Sequence, residues 1–464
     1  MDQSDQSDQT DQTDQTDLSR TKDEIAGLSR QLPRNDKIAM IMHPILNLGI
    51  VTSLLLAASP LMAADVPAKP ETAVAKAATT PAEAERLVRQ VADKMVAETT
   101  FTLRNRVTKQ NFTSSENLPA DAAIDIPSRW NQWFYAALLV GEGLQRVGEQ
   151  ADVAAYREFQ TRQVDFIAAH AAWFQRQWGS EKKKPGGAPR LGHYLSISSL
   201  WATGLAGPCI TRHFETKDPR LADYVARFRR VVEKHPRDAD GMLLEGASVR
   251  TDDIYLMEPG IFSLGVGTGE KKFIDDAVQQ VLAGHRRLFD RERKIHRQSW
   301  NTKTQRFDGD FWGRGAGWMT LAITDLLGRL DKDHPRRGEV LAAFRETMDG
   351  LRIWQAPGGG WRQVLDEETA WVETSCSGMF TYAMARGVCE GWIDRGFEAD
   401  VRKAWTALAA KALPDGSLID ICPATPQGNR AFYLARPRAK DDPHGYGPFL
   451  LAGSQILRLN KTVP

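Results

Sequence analysis

The chain has 464 residues and carries 60 Lys and Arg against 59 Asp and Glu, a balance that leaves no electrostatic case for a nucleic-acid partner. Four scattered cysteines (Cys209, Cys376, Cys389, Cys422), with no CxxC pair and no His at ligand spacing, supply neither a metal site nor an obvious disulfide framework. Thirteen Trp is a high count that suits carbohydrate handling, although Trp also fills large helical cores.

The first 80 residues fall outside the expected fold. Residues 1–39 open on an Asp-Gln-Ser/Thr repeat from Asp2 to Asp17, a polar low-complexity tract unable to bury a core. Met40 and Met42 stand just ahead of an apolar run, so translation is expected to start there. That run, Ile45 to Met62, is short for a membrane span and ends in Ala63-Ala64-Asp65. Residues 40–64 therefore read as a signal peptide, predicting a periplasmic or secreted protein without stable membrane insertion after cleavage. An uncleaved anchor is the alternative. Residues 65–80 follow as a linker, and 81–464 as one catalytic domain.

From Pro81 onward, amphipathic windows recur with almost no strand alternation. They cover 81–97, 130–148, 151–174, 196–214, 219–234, 252–267, 271–288, 314–330, 336–354, 374–392, 396–411 and 446–459. Short turns follow the even-numbered windows, and long loops rich in Gly, Pro and Trp precede them. Twelve helices with this alternation predict an all-α fold, an (α/α)6 barrel of six hairpins. An α-solenoid would need a repeating consensus, and none is present.

Inner helices of such a barrel run parallel, so their N-termini open at one end. Chemically loaded residues gather at those starts: Trp130 and Trp133, His193 and Tyr194, Asp252 and Tyr255, Arg314 and Trp318, Glu373 and Thr374, His444 and Tyr446. Their convergence predicts one active-site bowl. Asp252 or Asp253 could simply cap its helix, but one Asp suffices to cap, which leaves the other for general acid work. In Phe311-Trp312-Gly313-Arg314-Gly315-Ala316-Gly317-Trp318, a guanidinium suited to a carboxylate stands between flat faces suited to a sugar. Glu373 could cap, bind a hydroxyl or serve as a second carboxylate. His296 and Trp300 lie in the loop before the Arg314 helix, and His444 is expected to order its turn.

Together, Asp252-Asp253-Ile254-Tyr255 with Pro259, Trp312-Gly313-Arg314-Gly315-Ala316-Gly317-Trp318, Trp361-Arg362-Gln363, Glu373-Thr374-Ser375 and Pro443-His444-Gly445-Tyr446-Gly447-Pro448 resemble the unsaturated rhamnogalacturonyl and glucuronyl hydrolases, glycoside hydrolase families 105 and 88. The likeness runs from about Trp130 to the end and is nearer to family 105. It implies an (α/α)6 barrel that hydrates the vinyl-ether double bond of a 4,5-unsaturated uronic acid at the non-reducing end of lyase-generated oligosaccharides. The hemiketal formed collapses and releases the next sugar. Asp252 would be the general acid and base; Arg314 and Trp318 would hold the uronate, and His296 matches the family's loop His loosely. Trp130, Trp133, Tyr255, His193 and Glu373 complete the expected substrate-binding set, and no metal or organic cofactor is required.

The chain departs from the family pattern in three places. His193-Tyr194-Leu195-Ser196-Ile197-Ser198 stands where the fourth helix usually starts with an Asp, the approach to Asp252 lacks a His, and Gln298-Ser299-Trp300-Asn301 stands where His-x-Trp-Asp is usual. Two alternatives stay open: a conventional uronidase using Asp252 with Glu373, and a non-catalytic glycan-binding protein.

Overall fold

The computed structural model describes residues 80–121, 123–178, 191–197, 199–204 and 206–461, all within one compact unit, Glu71–Pro464. The expected low-complexity tract, signal peptide and linker (to residue 79) lie outside the described residues. Among the described residues, twelve helices of ten residues or more match the twelve windows: α1 Pro81–Ala97, α2 Tyr135–Ala151, α3 Phe159–Trp178, α4 Gly207–Thr216, α5 Pro219–Lys234, α6 Thr251–Thr268, α7 Lys271–Leu288, α8 Gly313–Arg329, α9 Arg337–Ile353, α10 Thr374–Cys389, α11 Glu398–Ala409 and α12 Pro443–Lys461.

Local chemistry sets several of these boundaries. Thr80 and Glu83 close a capping box ahead of Pro81, and Asp218 accepts from the Arg220 amide ahead of Pro219. Two starts differ from expectation. Residues 130–134 form a 3-10 turn (Arg129–Asn131) and extended chain before α2, and α4 begins only after a second 3-10 turn, Leu200–Thr203, and Gly204 at φ 56°.

The even-numbered helices form the inner ring. α12 packs on α2 and α10, α8 on α6 and α10, and α6 on α4, while the Leu200–Thr203 turn touches both α2 and α6 where the ring closes. Burial separates inner from outer helices: every residue from Gly313 to Leu327 in α8 and from Thr374 to Val388 in α10 is buried. Outer α5 buries only the stripe Leu221, Tyr224, Val225, Phe228 and Val232. Small residues let the inner helices touch, since a Cβ on Gly378 of α10 would come within 2.7 Å of the Pro448 backbone of α12. This is the (α/α)6 barrel. It also carries three small sheets of two- and three-residue strands, too short to show alternation in sequence. One of them pairs Ser248–Arg250, just before α6, with Ser299–Asn301, and so ties the loop ahead of α8 to the start of α6.

The C-terminal ends of the inner helices are closed by a buried charge cluster. Asp325 of α8 accepts from Tyr382 Oη at 2.6 Å, Arg386 Nη1 at 2.8 Å and Arg146 Nη2 at 3.4 Å. Burial would raise the Asp325 pKa, but Arg146, Arg386 and Arg329 hold it below the usual carboxylate value. Beside this cluster lies a cavity of about 360 Å³ lined by residues that include Arg146, Arg212, Tyr255, Pro259, Asp325 and Arg329. All four cysteines are free thiols, and among the described residues no helix is long and apolar enough to cross a membrane.

Removing the anion should expose the cost of this cluster. Asp325→Ala strands the buried Arg386 guanidinium, whose only carboxylate partner among the described residues it is, and is expected to lower unfolding stability by about 3–5 kcal/mol. A denaturant midpoint unchanged from the parent would contradict the assignment.

Candidate active site

At the opposite end of the barrel the inner helices present their N-termini. Asp252 sits in the first turn of α6, half-buried, with Oδ2 accepting from Thr251 Oγ1 at 3.1 Å and from Gln298 Nε2 at 3.3 Å. Gln298 in turn accepts from the Tyr433 hydroxyl, which takes a 3.0 Å bond from the Gly428 amide and whose ring stacks on Trp312 at 5.4 Å. The neighbouring Asp253 has a different task. It is buried and clamped by Arg250, Nε to Oδ2 2.6 Å and Nη2 to Oδ1 2.9 Å. Burial pushes its carboxyl up to about 6 against the pull of Arg250. Of the two candidates, Asp252 is the one left open to the bowl.

Trp318 and Tyr255 form the floor. Their rings stack at 5.3 Å, and Tyr135 meets Trp318 edge-on at 5.7 Å. Tyr255 also lines the far cavity, so this stack partitions the barrel axis. On the wall opposite, the Tyr135 hydroxyl lies 2.7 Å from His444 Nε2, and His444 Nδ1 lies 2.5 Å from Asp442 Oδ1. Burial raises the Tyr135 pKa, Arg314 opposes this, and the charges of Asp252 and Asp442 add to it, which places all four groups within electrostatic reach. Burial and Arg314 lower the His444 pKa against Asp442.

Several residues of the expected substrate-binding set are engaged by protein partners. Arg314 is buried, and its guanidinium is occupied by protein: Nη1 donates to Cys422 O at 2.5 Å and Ser375 Oγ at 3.3 Å, and Nη2 to Pro423 O at 2.8 Å. It pins the segment after α11 and reaches the bowl as a field. Glu373 is fully buried as the α10 cap. Oε2 accepts from the Cys376 amide and Ser375 Oγ, both at 2.7 Å, and Oε1 from the Cys422 amide at 2.9 Å. A second catalytic carboxylate is therefore not free there.

Trp130 and Trp133 are wall residues. Trp130 Nε1 donates to Glu98 Oε2 at 3.2 Å, and Trp133 Nε1 donates to Ala202 O at 3.0 Å. His296 faces away from the bowl, its Nε2 lying 3.0 Å from His285 Nδ1, which is held by Glu346 of α9. His193 is half-buried and edge-on to Trp201 at 4.6 Å. Only Asp252, Trp318 and Tyr255 of the expected set come together in the bowl.

The residues that sequence reasoning passed over are Tyr135, Gln298, Tyr433 and Asp442, while His444 was assigned only to its turn. Gln298 carried a signal, because it stands where the family usually has His. Tyr433 comes from the short helix Arg430–Leu434 in a loop without periodicity.

Known proteins share this architecture. The chain is 28% identical over 226 residues to the unsaturated 3S-rhamnoglycuronyl hydrolase of Formosa agariphila, a match covering 45% of this chain and 58% of that relative. It is 24% identical over 243 residues to an unsaturated rhamnogalacturonyl hydrolase of Bacillus subtilis, covering 50% and 69%. A crystal structure of a possible member of the GH105 family from Salmonella enterica superimposes with a TM-score of 0.63 at 18% identity, over 87% of this chain and 99% of that one. Residues 108–460 match Glycosyl Hydrolase Family 88, and the chain belongs to that family.

Proposed function

We propose that this protein removes a 4,5-unsaturated uronic acid from the non-reducing end of lyase-generated oligosaccharides by hydrating its vinyl-ether double bond. The observation that carries the reading is the state of the carboxylates. Asp252 faces the aromatic bowl, whereas Asp253 and Glu373 are each committed to protein partners. A conventional glycosidase needs two placed carboxylates. Hydration can proceed with one, which makes Asp252 sufficient.

In this scheme the Asp252 carboxyl gives its proton to carbon 4. Positive charge develops at carbon 5, stabilised by the ring oxygen, and water adds there while its proton passes to the Asp252 carboxylate. Gln298 fixes the carboxylate from the side, and the Trp318 ring, backed by Tyr255, floors the bowl beneath the sugar. Arg314 supplies a positive field for the uronate from beneath the wall. The names of the two relatives favour a rhamnose-containing oligosaccharide as the aglycone side. The signal-like segment 40–64 supports export, so the substrate would be met in the periplasm or outside the cell.

Incubation of the chain from Asp65 with a panel of lyase-generated unsaturated disaccharides should erase the ultraviolet absorbance of the conjugated double bond on at least one of them. Asp252→Asn should abolish that loss while leaving binding largely intact; hydrolysis at the parental rate would remove Asp252 from the role. Arg314→Met leaves two carbonyls and the Ser375 hydroxyl without their charged donor, so a stability loss of about 2–4 kcal/mol is expected. Limited proteolysis should then cut between residues 413 and 429 first, and parental resistance there would contradict the pinning role.

A further inference from the structure

Asp252 accounts for hydration by itself, because the proton given to carbon 4 is recovered from the water that adds at carbon 5. One proton transfer is left over. The hemiketal must lose the hydrogen of its new carbon-5 hydroxyl as the carbonyl forms, and the ring oxygen must gain one as its bond to carbon 5 breaks. The chain Tyr135–His444–Asp442 has no part in the first step, yet it stands in the same bowl.

Its internal geometry fixes its polarity. His444 Nδ1 lies 2.5 Å from Asp442 Oδ1, and that carboxylate oxygen also accepts from the His444 backbone amide at 3.1 Å. A carboxylate accepts only, so Nδ1 carries the hydrogen and Nε2 is bare. The Tyr135 hydroxyl must therefore donate to Nε2 across 2.7 Å. Its oxygen is left with unused lone pairs while its hydrogen already has somewhere to go. Tyr135 is half-buried, at the first residue of α2, and touches Trp318 of the floor, whereas His444 is 2% exposed. Of the hydrogen-bonded pair, Tyr135 is the one that can meet a substrate.

We propose that Tyr135, backed by His444 and Asp442, is a second proton acceptor of the bowl, which takes the hydroxyl proton of the carbon-5 hemiketal and so drives ring opening. The inference rests on the hydration reading. The hydroxyl hydrogen passes to Tyr135 Oη as the Tyr135 hydrogen passes to His444 Nε2. The carbon–oxygen double bond forms at carbon 5, and its bond to the ring oxygen breaks with the electron pair moving to that oxygen. The ring oxygen is then reprotonated from Tyr135 as His444 returns its proton, leaving a hemiacetal at carbon 1 whose breakdown frees the next sugar. No external oxidant or base is needed. The charged and titratable groups facing the pair are Asp442, Arg314 and Glu373 at His444, and Arg314, Asp252, Asp442 and the Cys422 thiol at Tyr135. Asp442 stabilises the transient imidazolium, and buried Arg314 makes it short-lived.

The test follows two signals on one unsaturated disaccharide, loss of absorbance for hydration and release of the second sugar for collapse. In the parent they should run together. Tyr135→Phe keeps the ring packing and should make sugar release lag behind absorbance loss by about 10²-fold, the usual scale of a general base, whatever the rate of absorbance loss itself. Asp442→Asn should produce the same lag. Release that stays coupled to absorbance loss in Tyr135→Phe would overturn the relay alone. An absence of absorbance loss in the parent would overturn the function and the relay with it. Nitrogen-15 spectra of the folded parent, independent of turnover, should show His444 as the neutral Nδ1–H tautomer; the Nε2–H tautomer would overturn the proposal.

Discussion

Six inner helices running parallel around one axis impose a constraint from which the rest of the molecule follows. Each helix leaves unsatisfied amides at its start and unsatisfied carbonyls at its end, and the parallel arrangement collects like ends at opposite rims. At the carbonyl rim the chain answers with cations: Arg146 of α2, Arg329 ending α8 and Arg386 in the last turn of α10, balanced by Asp325 and Glu258. At the amide rim it answers with anions, Glu373 capping α10 and Asp252 in the first turn of α6. The rim that attracts anions is where an acidic sugar would bind.

That rim is assembled by tying the long C-terminal segment down. Arg314 holds the carbonyls of Cys422 and Pro423, and Glu373 holds the Cys422 amide. These two residues are charged and central, and both work on protein rather than offering themselves to a ligand. The segment they fix delivers Tyr433 to Gln298 and leads on to Asp442 and His444. Buried charges held by several protein groups are costly to disturb. Thus the expected hooks of the site serve as its frame, and the half-buried groups left at the bowl are Asp252 and Tyr135, set over the buried Gln298 and the Trp318–Tyr255 stack.

The outer helices were legible because each keeps a 3.6-residue apolar stripe, and three of their boundaries coincide with the expected ones to the residue: Pro81–Ala97, Pro219–Lys234 and Lys271–Leu288. The starts of α2 and α4 were not, because the aromatic-rich Trp130 to Phe134 and the apolar Leu200 to Thr203 lie in 3-10 or extended chain, where periodicity is silent. Asp252 was legible from its place in a doubled acid at a helix start, and Arg250 decides the choice between it and Asp253 only in space. His296 and Gln298 stand two positions apart, yet only Gln298 reaches Asp252. His296 ends the Ile295–His296 strand of one small sheet, whereas Gln298 precedes the Ser299–Asn301 strand of another, and the chain turns between them. Trp130 and Trp133 look like sugar platforms in sequence, but only the fold distinguishes the front of a wall from its back. The pairing of Tyr135 with His444 spans 309 positions and leaves no local trace.

A double bond is the one feature that hydration chemistry demands and displacement at carbon 1 does not. The most direct measurement is therefore a side-by-side rate comparison of one unsaturated disaccharide with its saturated counterpart, identical in the second sugar and linkage, on the parent protein. Hydration initiated by Asp252 predicts release of the second sugar from the unsaturated compound and none from the saturated one. Comparable release from both would contradict it and return the barrel to conventional glycosidase chemistry.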